Sequence, residues 1–338
     1  MIELRSFVYN TCRIIDNDIS NKTYEDYVNV NIGGQDKSYK ISSLYSDTAI
    51  GKIIPCNFIL EHNNLKLTEE YYPLETTTIK NIISLIKDMN TSEVAISFKI
   101  AEPDYIKRKS NMLKMMRPGS VTKLATFDNV EPLTVIKVDN NLTIFSAIPI
   151  KLPPKCTRLF AMLELNKLDI ECVDTYGCTN FDKMFYMSII KTLKLPNRFI
   201  RSTITSTIGT FQYLDTNTVD LSNSNPINIL SLNQMFDNAH IENLILGRFN
   251  TANCKEFNEA FSNLHTRVLD IRSMNFCGAT EIDKLFSGIK VDELYVGDII
   301  NANEHTKTQS QNWFNYSEIN KIYSESQSIH EIFAIDNL

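Results

Sequence analysis

The side chains with the widest chemical range in this sequence are five histidines and seven cysteines. The cysteines form no CxxC pair and stand in apolar surroundings, so we predict reduced, mostly buried thiols and no zinc site. They are Cys12, Cys56, Cys156, Cys172, Cys178, Cys254 and Cys277. The patterns GxGxxG, GxxxxGKS/T, HExxH and GxSxG, which mark dinucleotide, phosphate, zinc-protease and serine-hydrolase sites, do not occur. The sequence therefore predicts a non-enzymatic protein without cofactor or metal; an enzyme with its site in the N-terminal domain is an alternative.

Two of the histidines, His240 and His265, are separated by 25 residues. If the chain repeats at that interval, their side chains stack on adjacent coils about 5 Å apart, with Lys290 on the next coil. Stacked imidazoles could share a metal ion or make a pH-sensitive contact. An exposed ladder of side chains is the simpler interpretation, and it is the one we adopt.

Residues 105–123 hold the densest group of positive charges in a chain whose formal net charge is −6. This basic patch comprises Lys107, Arg108, Lys109, Lys114 and Arg117. Its apolar neighbours are Met112, Leu113, Met115 and Met116. We predict a solvated helix or loop with a methionine-packed underside. Binding of nucleic acid or an anionic surface through this patch is an alternative function.

A repeat must position most of these residues, because one phenylalanine returns every 25 residues with a single step of 26. The series is Phe160, Phe185, Phe211, Phe236, Phe261 and Phe286. Eight residues after each Phe stand Leu168, Leu193, Val219, Leu244, Leu269 and Leu294, and ten residues after it stand Ile170, Leu195, Leu221, Leu246, Ile271 and Val296. One such unit cannot bury its own apolar face, but six stacked units can. We predict a solenoid of about six coils over residues 156–300.

The position five residues after the Phe is apolar in four of the six copies, which completes an LxxLxL pattern. The clearest copies are residues 232–256 and 257–281. With dipeptides such as MF and the run RFNTANCKEFNEAF, this pattern resembles the BspA-like type of leucine-rich repeat. The resemblance implies short parallel strands on one wall. It also implies a role in adhesion or protein recognition, often at cell surfaces.

In an LxxLxL strand, the residue between the last two inward positions points outward, as does the residue two places earlier. Stacked strands turn these positions into a broad surface whose binding identity depends on its side chains. The predicted partner-binding residues are Asp169, Lys194, Asp220, Asn243, Ile245, Val268, Asp270, Glu293 and Tyr295. Ile245, Val268 and Tyr295 are the expected apolar anchors. The alternative is a merely solvated sheet face.

The flanking segments lack the 25-residue period, so the predicted fold is α+β with three parts. Residues 1–152 are expected to be a mainly antiparallel β domain with hairpins over 27–41, 58–67 and 133–150, one helix within 76–89 and a strand within 92–101. Residues 301–338 are expected to cap the open solenoid end with a helix. The helical spacing involves Ile319, Ile322, Tyr323, Ile329, Ile332 and Phe333. Trp313 is expected to pack in this cap, with an exposed partner-binding role as the alternative.

The composition is that of a folded protein, with 43% hydrophobic and 22% charged residues. The acidic balance gives no general attraction to nucleic acid, and we find neither a secretory signal nor a run of about 18 apolar residues. We therefore expect a cytoplasmic protein or a virion component. Abundant Asn, Ile and Lys favour an AT-rich genome and a viral or phage structural role. The sequence as a whole predicts recognition or assembly with another protein through the solenoid sheet.

Overall fold

The computed structural model describes residues 26–32, 35–42, 59–60, 72–74, 76–86, 89–124, 133–224, 226–297 and 313–324. The chain divides into two compact units, residues 1–71 and 72–338. The described strands of the first unit are β1 (Asp26–Ile32), β2 (Gln35–Ser42) and β3 (Ile59–Leu60). The antiparallel pairing of β1 with β2 confirms the hairpin predicted over 27–41. Of the hairpin predicted over 58–67, only β3 is described, and it pairs with β2; the rest lies outside the described residues.

The second unit contains both a short lead-in segment and the repeat. The lead-in elements are β4 (Tyr72–Pro73), α1 (Thr76–Ser84), a 3₁₀ turn (Thr91–Glu93), β5 (Ala95–Ile100), α2 (Pro103–Met116), β6 (Val121–Lys123), β7 (Thr134–Val138), β8 (Asn141–Ser146) and β9 (Ile150–Lys151). The repeat strands are β10 (Glu164–Asp169), β11 (Val173–Asp174), β12 (Ile189–Lys194), β13 (Asp215–Asp220), β14 (His240–Ile245), β15 (His265–Asp270), β16 (Lys290–Val296) and β17 (Glu318–Ser324). Helix α1 and strand β5 confirm the helix and strand predicted over 76–89 and 92–101.

The predicted solenoid is present and is built around a column of stacked aromatic rings. The ring centroids of the six repeat phenylalanines are separated by 5.6, 5.6, 5.3, 5.4 and 5.5 Å in succession. Each of these rings is at most 1% exposed. The repeat strands pair in parallel, so that equivalent residues such as His240 and His265 lie opposite each other. The 25-residue period is therefore the period of one buried core.

The opposite wall of the solenoid is held by single parallel bridges instead of strands. They join Lys155, Asn180, Ser206, Ser231, Glu256 and Glu281 in order. Asparagine side chains add bonds between coils: Asn233 Oδ1 accepts from the backbone N–H of Asn258 at 2.7 Å. Asn258 Oδ1 in turn accepts from the N–H of Asp283 at 2.8 Å. These bonds satisfy backbone groups that a wall without regular strands would leave unpaired.

The turn that leads from this wall to the sheet places residues two positions before and after each repeat phenylalanine at positive φ. Gly209 and Gly288 adopt this conformation at 58° and 71°, as glycine does readily. Met162, Met187 and Tyr213 adopt it at 59°, 54° and 56°, although a Cβ atom makes this region unfavourable. The surrounding structure enforces it, since the N–H of Met162 donates to the carbonyl of Tyr186 in the next coil at 2.8 Å.

The solenoid sheet does not stop at the boundary predicted at residue 152. The sheet has 11 strands in the order β17-β16-β15-β14-β13-β12-β10-β5-β8-β7-β6. Strand β5 pairs in parallel with both β10 and β8, and β8-β7 and β7-β6 are antiparallel, so this part is mixed and not mainly antiparallel. Ile96, Ile144 and Leu168 belong to one buried cluster. The physical reason is that the first coil would otherwise expose its edge and its core.

Two further features of the lead-in segment bear on the sequence predictions. The antiparallel pair β7-β8, which turns at Asp139 and Asn140, confirms the hairpin predicted over 133–150. The basic segment contains a second helix, α2, which packs through Ile106 against Ile136 and Phe145. Strands β11, β9 and β4 form a separate three-stranded parallel sheet.

The C-terminal helix predicted from residue 319 is wrong for the described part of that segment, which is strand β17. Phe314 stacks on Phe286 at 5.2 Å, and Ile319 and Ile322 pair with Val291 and Leu294 of β16. A seventh coil therefore follows an interval of 28 residues instead of 25. Residues Ile329, Ile332 and Phe333 lie outside the described residues. Trp313 packs as predicted: it is 0% exposed, and its Nε1 donates to the carbonyl of Ile282 at 3.0 Å.

Candidate interaction surface on the solenoid sheet

The outer face of the solenoid sheet is defined here by the side chains of β10 and β12 to β17 that point away from the core. Along each of these strands, two buried residues alternate with exposed or half-buried ones. The structure places every predicted partner-binding residue on this face. Pairing brings Asp169 opposite Lys194, Asp220 opposite Ile245, and Asp270 opposite Tyr295. The columns expected from the repeat are therefore continuous across the sheet.

The two halves of the outer face differ in chemistry. In the first coils the charges satisfy one another: Lys167 Nζ lies 2.9 Å from Asp169 Oδ2, and Lys194 Nζ lies 3.5 Å from Glu171 Oε2. From β14 onward, large apolar side chains are exposed instead. Ile245 and Val268 are 44% and 38% exposed. The later coils thus carry the surface whose burial would favour association.

An aromatic pair ends the outer face. The rings of Tyr295 and Tyr323 are stacked with centroids 4.6 Å apart, and the guanidinium of Arg272 lies 5.1 Å from the centroid of Tyr295. The Tyr295 hydroxyl bonds Glu293 Oε2 at 2.9 Å, and this bond raises the pKa of the tyrosine. Tyr323 was assigned to the predicted cap. The signal that identifies it is its place nine residues after Phe314, as Tyr295 stands nine residues after Phe286.

Asp270 orients the arginine of this cluster. Its carboxylate accepts two bonds from the Arg272 guanidinium, at 2.9 Å from Nε and 2.6 Å from the terminal nitrogen. Partial burial opposes ionisation of Asp270, but the hydrogen bonds and charge of Arg272 outweigh it, and the pKa of Asp270 is lowered. Asp270 therefore holds the guanidinium over Tyr295. Its contribution to a partner is the fixed direction of Arg272.

The predicted histidine ladder is present at the entry of β14 and β15. The imidazoles of His240 and His265 stack with centroids 4.7 Å apart. His240 Nδ1 lies 3.6 Å from Asp215 Oδ1, and on the next coil Lys290 Nζ lies 2.8 Å from Glu318 Oε1. A shallow groove of about 340 Å³ runs along these residues. Within the described ranges, no group of three or more His, Cys, Asp or Glu side chains is placed to hold a metal ion.

The described cysteines are unreactive or isolated. Burial raises the pKa of Cys172 to about 11 and that of Cys254 to about 12, so both are thiols at neutral pH. Cys156 and Cys178 are buried with their Sγ atoms 3.9 Å apart, and this hydrogen bond together with burial raises the pKa of Cys178 strongly. The thiol of Cys277 is exposed. Cys12 and Cys56 lie outside the described residues.

The basic patch lies on α2, but its methionines are not packed underneath. Met112, Met115 and Met116 are 52%, 85% and 70% exposed, so the predicted methionine-packed underside is wrong. The underside is formed by Ile106, Ser110 and Leu113, which are spaced at i, i+4 and i+7 and thus share one helical face.

Two of the five basic residues are engaged within the protein. Lys109 Nζ lies 5.6 Å and 5.3 Å from the ring centroids of Tyr105 and Phe145. Arg117 is paired with Asp139 at 2.7 Å. The side chains of Lys107, Arg108 and Lys114 are exposed.

Comparisons with known proteins bear mainly on the later coils. No curated protein and no solved structure matches the chain. Over the described part of the chain, none of the helices has the length and apolar character needed to cross a bilayer. Residues 205–325 are similar to a family described as Mycoplasma protein of unknown function, DUF285, and this stretch contains strands β13 to β17, including the seventh coil.

Proposed function

We propose that this chain is a non-enzymatic recognition or assembly module that binds another protein through the outer face of the solenoid sheet. The observation that carries this proposal is the row of exposed apolar and aromatic side chains on consecutive coils. These are Ile245, Val268, Tyr295 and Tyr323. The resemblance of the repeats to BspA-like leucine-rich repeats points in the same direction.

The composition of this row favours a protein partner. Tyrosine and arginine are enriched among the residues that dominate binding energy at protein interfaces. Tyr295, Tyr323 and Arg272 form such a group, and Asp270 already fixes the arginine. Side chains that are held before binding lose less conformational entropy when a partner arrives.

The size of the surface is also adequate. Seven strands spaced about 4.8 Å apart span roughly 30 Å, and six residues per strand span about 20 Å. The flat footprint is then about 600 Å², and its side chains expose more area than the footprint itself. A standard protein interface buries about 800 Å² per partner. The outer face can therefore supply most of one interface without help from the loops.

The test is affinity capture from the native source with the wild-type chain and with a double variant, Ile245→Lys with Tyr295→Lys. Two lysines would place charges in the apolar row, so we expect the proteins captured by the wild type to be lost. A matched control is Tyr213→Lys with Leu230→Lys. These side chains are 45% and 52% exposed but lie outside the sheet strands.

Two results would contradict the proposal. The first is retention of the captured proteins by the sheet-face variant, because binding would then use another surface. The second is equal loss in both double variants, which would indicate a general effect of added lysines. Thermal unfolding of each variant shows whether the fold is intact before either result is interpreted.

A further inference from the structure

Helix α2 presents an unusual outer side. Its inner side is set by Ile106, Ser110 and Leu113, which face β7 and β8. At about 100° per residue, the opposite direction falls on Arg108 and Met115. Met115 is 85% exposed. The centre of the solvent side of this helix is therefore a methionine next to an arginine, where a solvated helix would carry only polar residues.

Apolar and basic residues occupy opposite flanks of that centre. Helical geometry places Tyr105, Met112 and Met116 on one side of Met115 and places Lys107 and Lys114 on the other. Tyr105 is 44% exposed, and Met112 and Met116 are more exposed still, at 52% and 70%. The outer side of α2 thus combines an apolar strip with a parallel row of ammonium groups.

The charge of this side is uniform and available. From residue 106 to residue 117 the sequence contains five basic residues and no acidic one. Asp104, the acidic residue of the helix, lies in its first turn. Lys107, Arg108 and Lys114 make no ion pair with any residue that the structure describes. These three cations can therefore meet an external anion.

We propose that α2 is a peripheral docking helix for anionic lipid bilayers, with Met112, Met115 and Met116 entering the interface and Lys107, Arg108 and Lys114 binding lipid phosphates. Helices that lie in a bilayer surface combine an apolar strip with basic residues in this way. A site for nucleic acid would need the cations but not the methionines. With 14 residues the helix is about 21 Å long, which suits a surface position. This surface is separate from the one in the proposed function.

The test is flotation of the full chain with phosphatidylglycerol vesicles and with phosphatidylcholine vesicles. We expect binding to the anionic vesicles only. Each basic residue near an anionic surface contributes about fivefold in affinity. The triple variant Lys107→Gln, Arg108→Gln, Lys114→Gln should therefore bind phosphatidylglycerol about a hundredfold more weakly. The control Lys80→Gln, Lys191→Gln, Lys255→Gln removes the same charge from other exposed sites and should bind as the wild type does.

A second variant separates lipid insertion from simple attraction of anions. Met112→Gln with Met115→Gln keeps every charge and the helical propensity but removes the apolar strip, so we expect vesicle binding to fall at least tenfold. Equal binding to both kinds of vesicle, or equal loss in the two triple variants, would overturn the proposal. Full binding by the methionine variant, with displacement of the vesicles by duplex DNA, would assign the helix to a general polyanion site instead. No vesicle binding by a folded wild-type chain would also refute it.

Discussion

Replacing Met162 by glycine should stabilise the protein, although glycine usually weakens a fold. Met162 is held at a φ of 59°, and its side chain is largely exposed, at 64%. The left-handed region costs a residue with a Cβ atom roughly 1–2 kcal/mol. Glycine avoids that cost but loses about 0.5–1 kcal/mol through the greater freedom of its unfolded chain. We therefore expect the free energy of unfolding to rise by about 0.5–1 kcal/mol.

The assay is urea unfolding followed by circular dichroism, with Ile189→Gly as the matched control. Ile189 is also an exposed apolar residue, at 54%, but it lies in strand β12 and not among the residues with positive φ. Glycine at that position should destabilise by about 1 kcal/mol. Equal destabilisation by the two glycines would refute the reasoning, because it would show that the left-handed positions of the repeat carry no conformational cost.

Three further predictions follow from the interior and the thiols. Phe236→Ala should lower the free energy of unfolding by about 3–5 kcal/mol, because its ring lies between Phe211 and Phe261 at 5.3 and 5.4 Å; a loss below about 1 kcal/mol in urea unfolding would contradict a close-packed column. Asp237 is buried, and burial raises its pKa above the unfolded value, so the stability of the wild type relative to Asp237→Asn should fall as pH rises from about 4; a flat or rising difference would be inconsistent with that burial. Maleimide should modify the exposed Cys277 well before the buried Cys254, as judged by mass spectrometry of peptides, and the reverse order would show that the fifth coil opens readily.

The repeat could be predicted because its signal is arithmetic. Each of six phenylalanines fills the same place in successive coils, and substitution at any of them would leave a cavity. The same arithmetic missed the seventh coil, since the interval from Phe286 to Phe314 is longer by three residues. The outward columns followed from the strand period alone. What the period could not show is which outward residues contact each other, such as Arg272 with Tyr295.

The start of the solenoid could not be predicted for a different reason. The segment containing β5 has the alternation of a strand but no phenylalanine at the repeat position, so the sequence shows that it is a strand and not which strand it joins. Its partner β10 lies some 70 residues later, and no local pattern encodes such a pairing. The side of α2 that faces the protein was misjudged because methionine fits both buried and exposed positions. Only the neighbouring Ile136 and Phe145 determine which side of the helix is buried.

The position of β5 between β8 and β10 has a consequence for how the chain assembles during synthesis. The β5-β8 pair is complete before the first coil leaves the ribosome, and it offers one open edge to the strand that arrives next. Each later coil then adds to an edge that already exists, so no coil has to nucleate alone. A chain that began after residue 152 would lack this template, and its first coil would have to find another edge, including that of a second molecule.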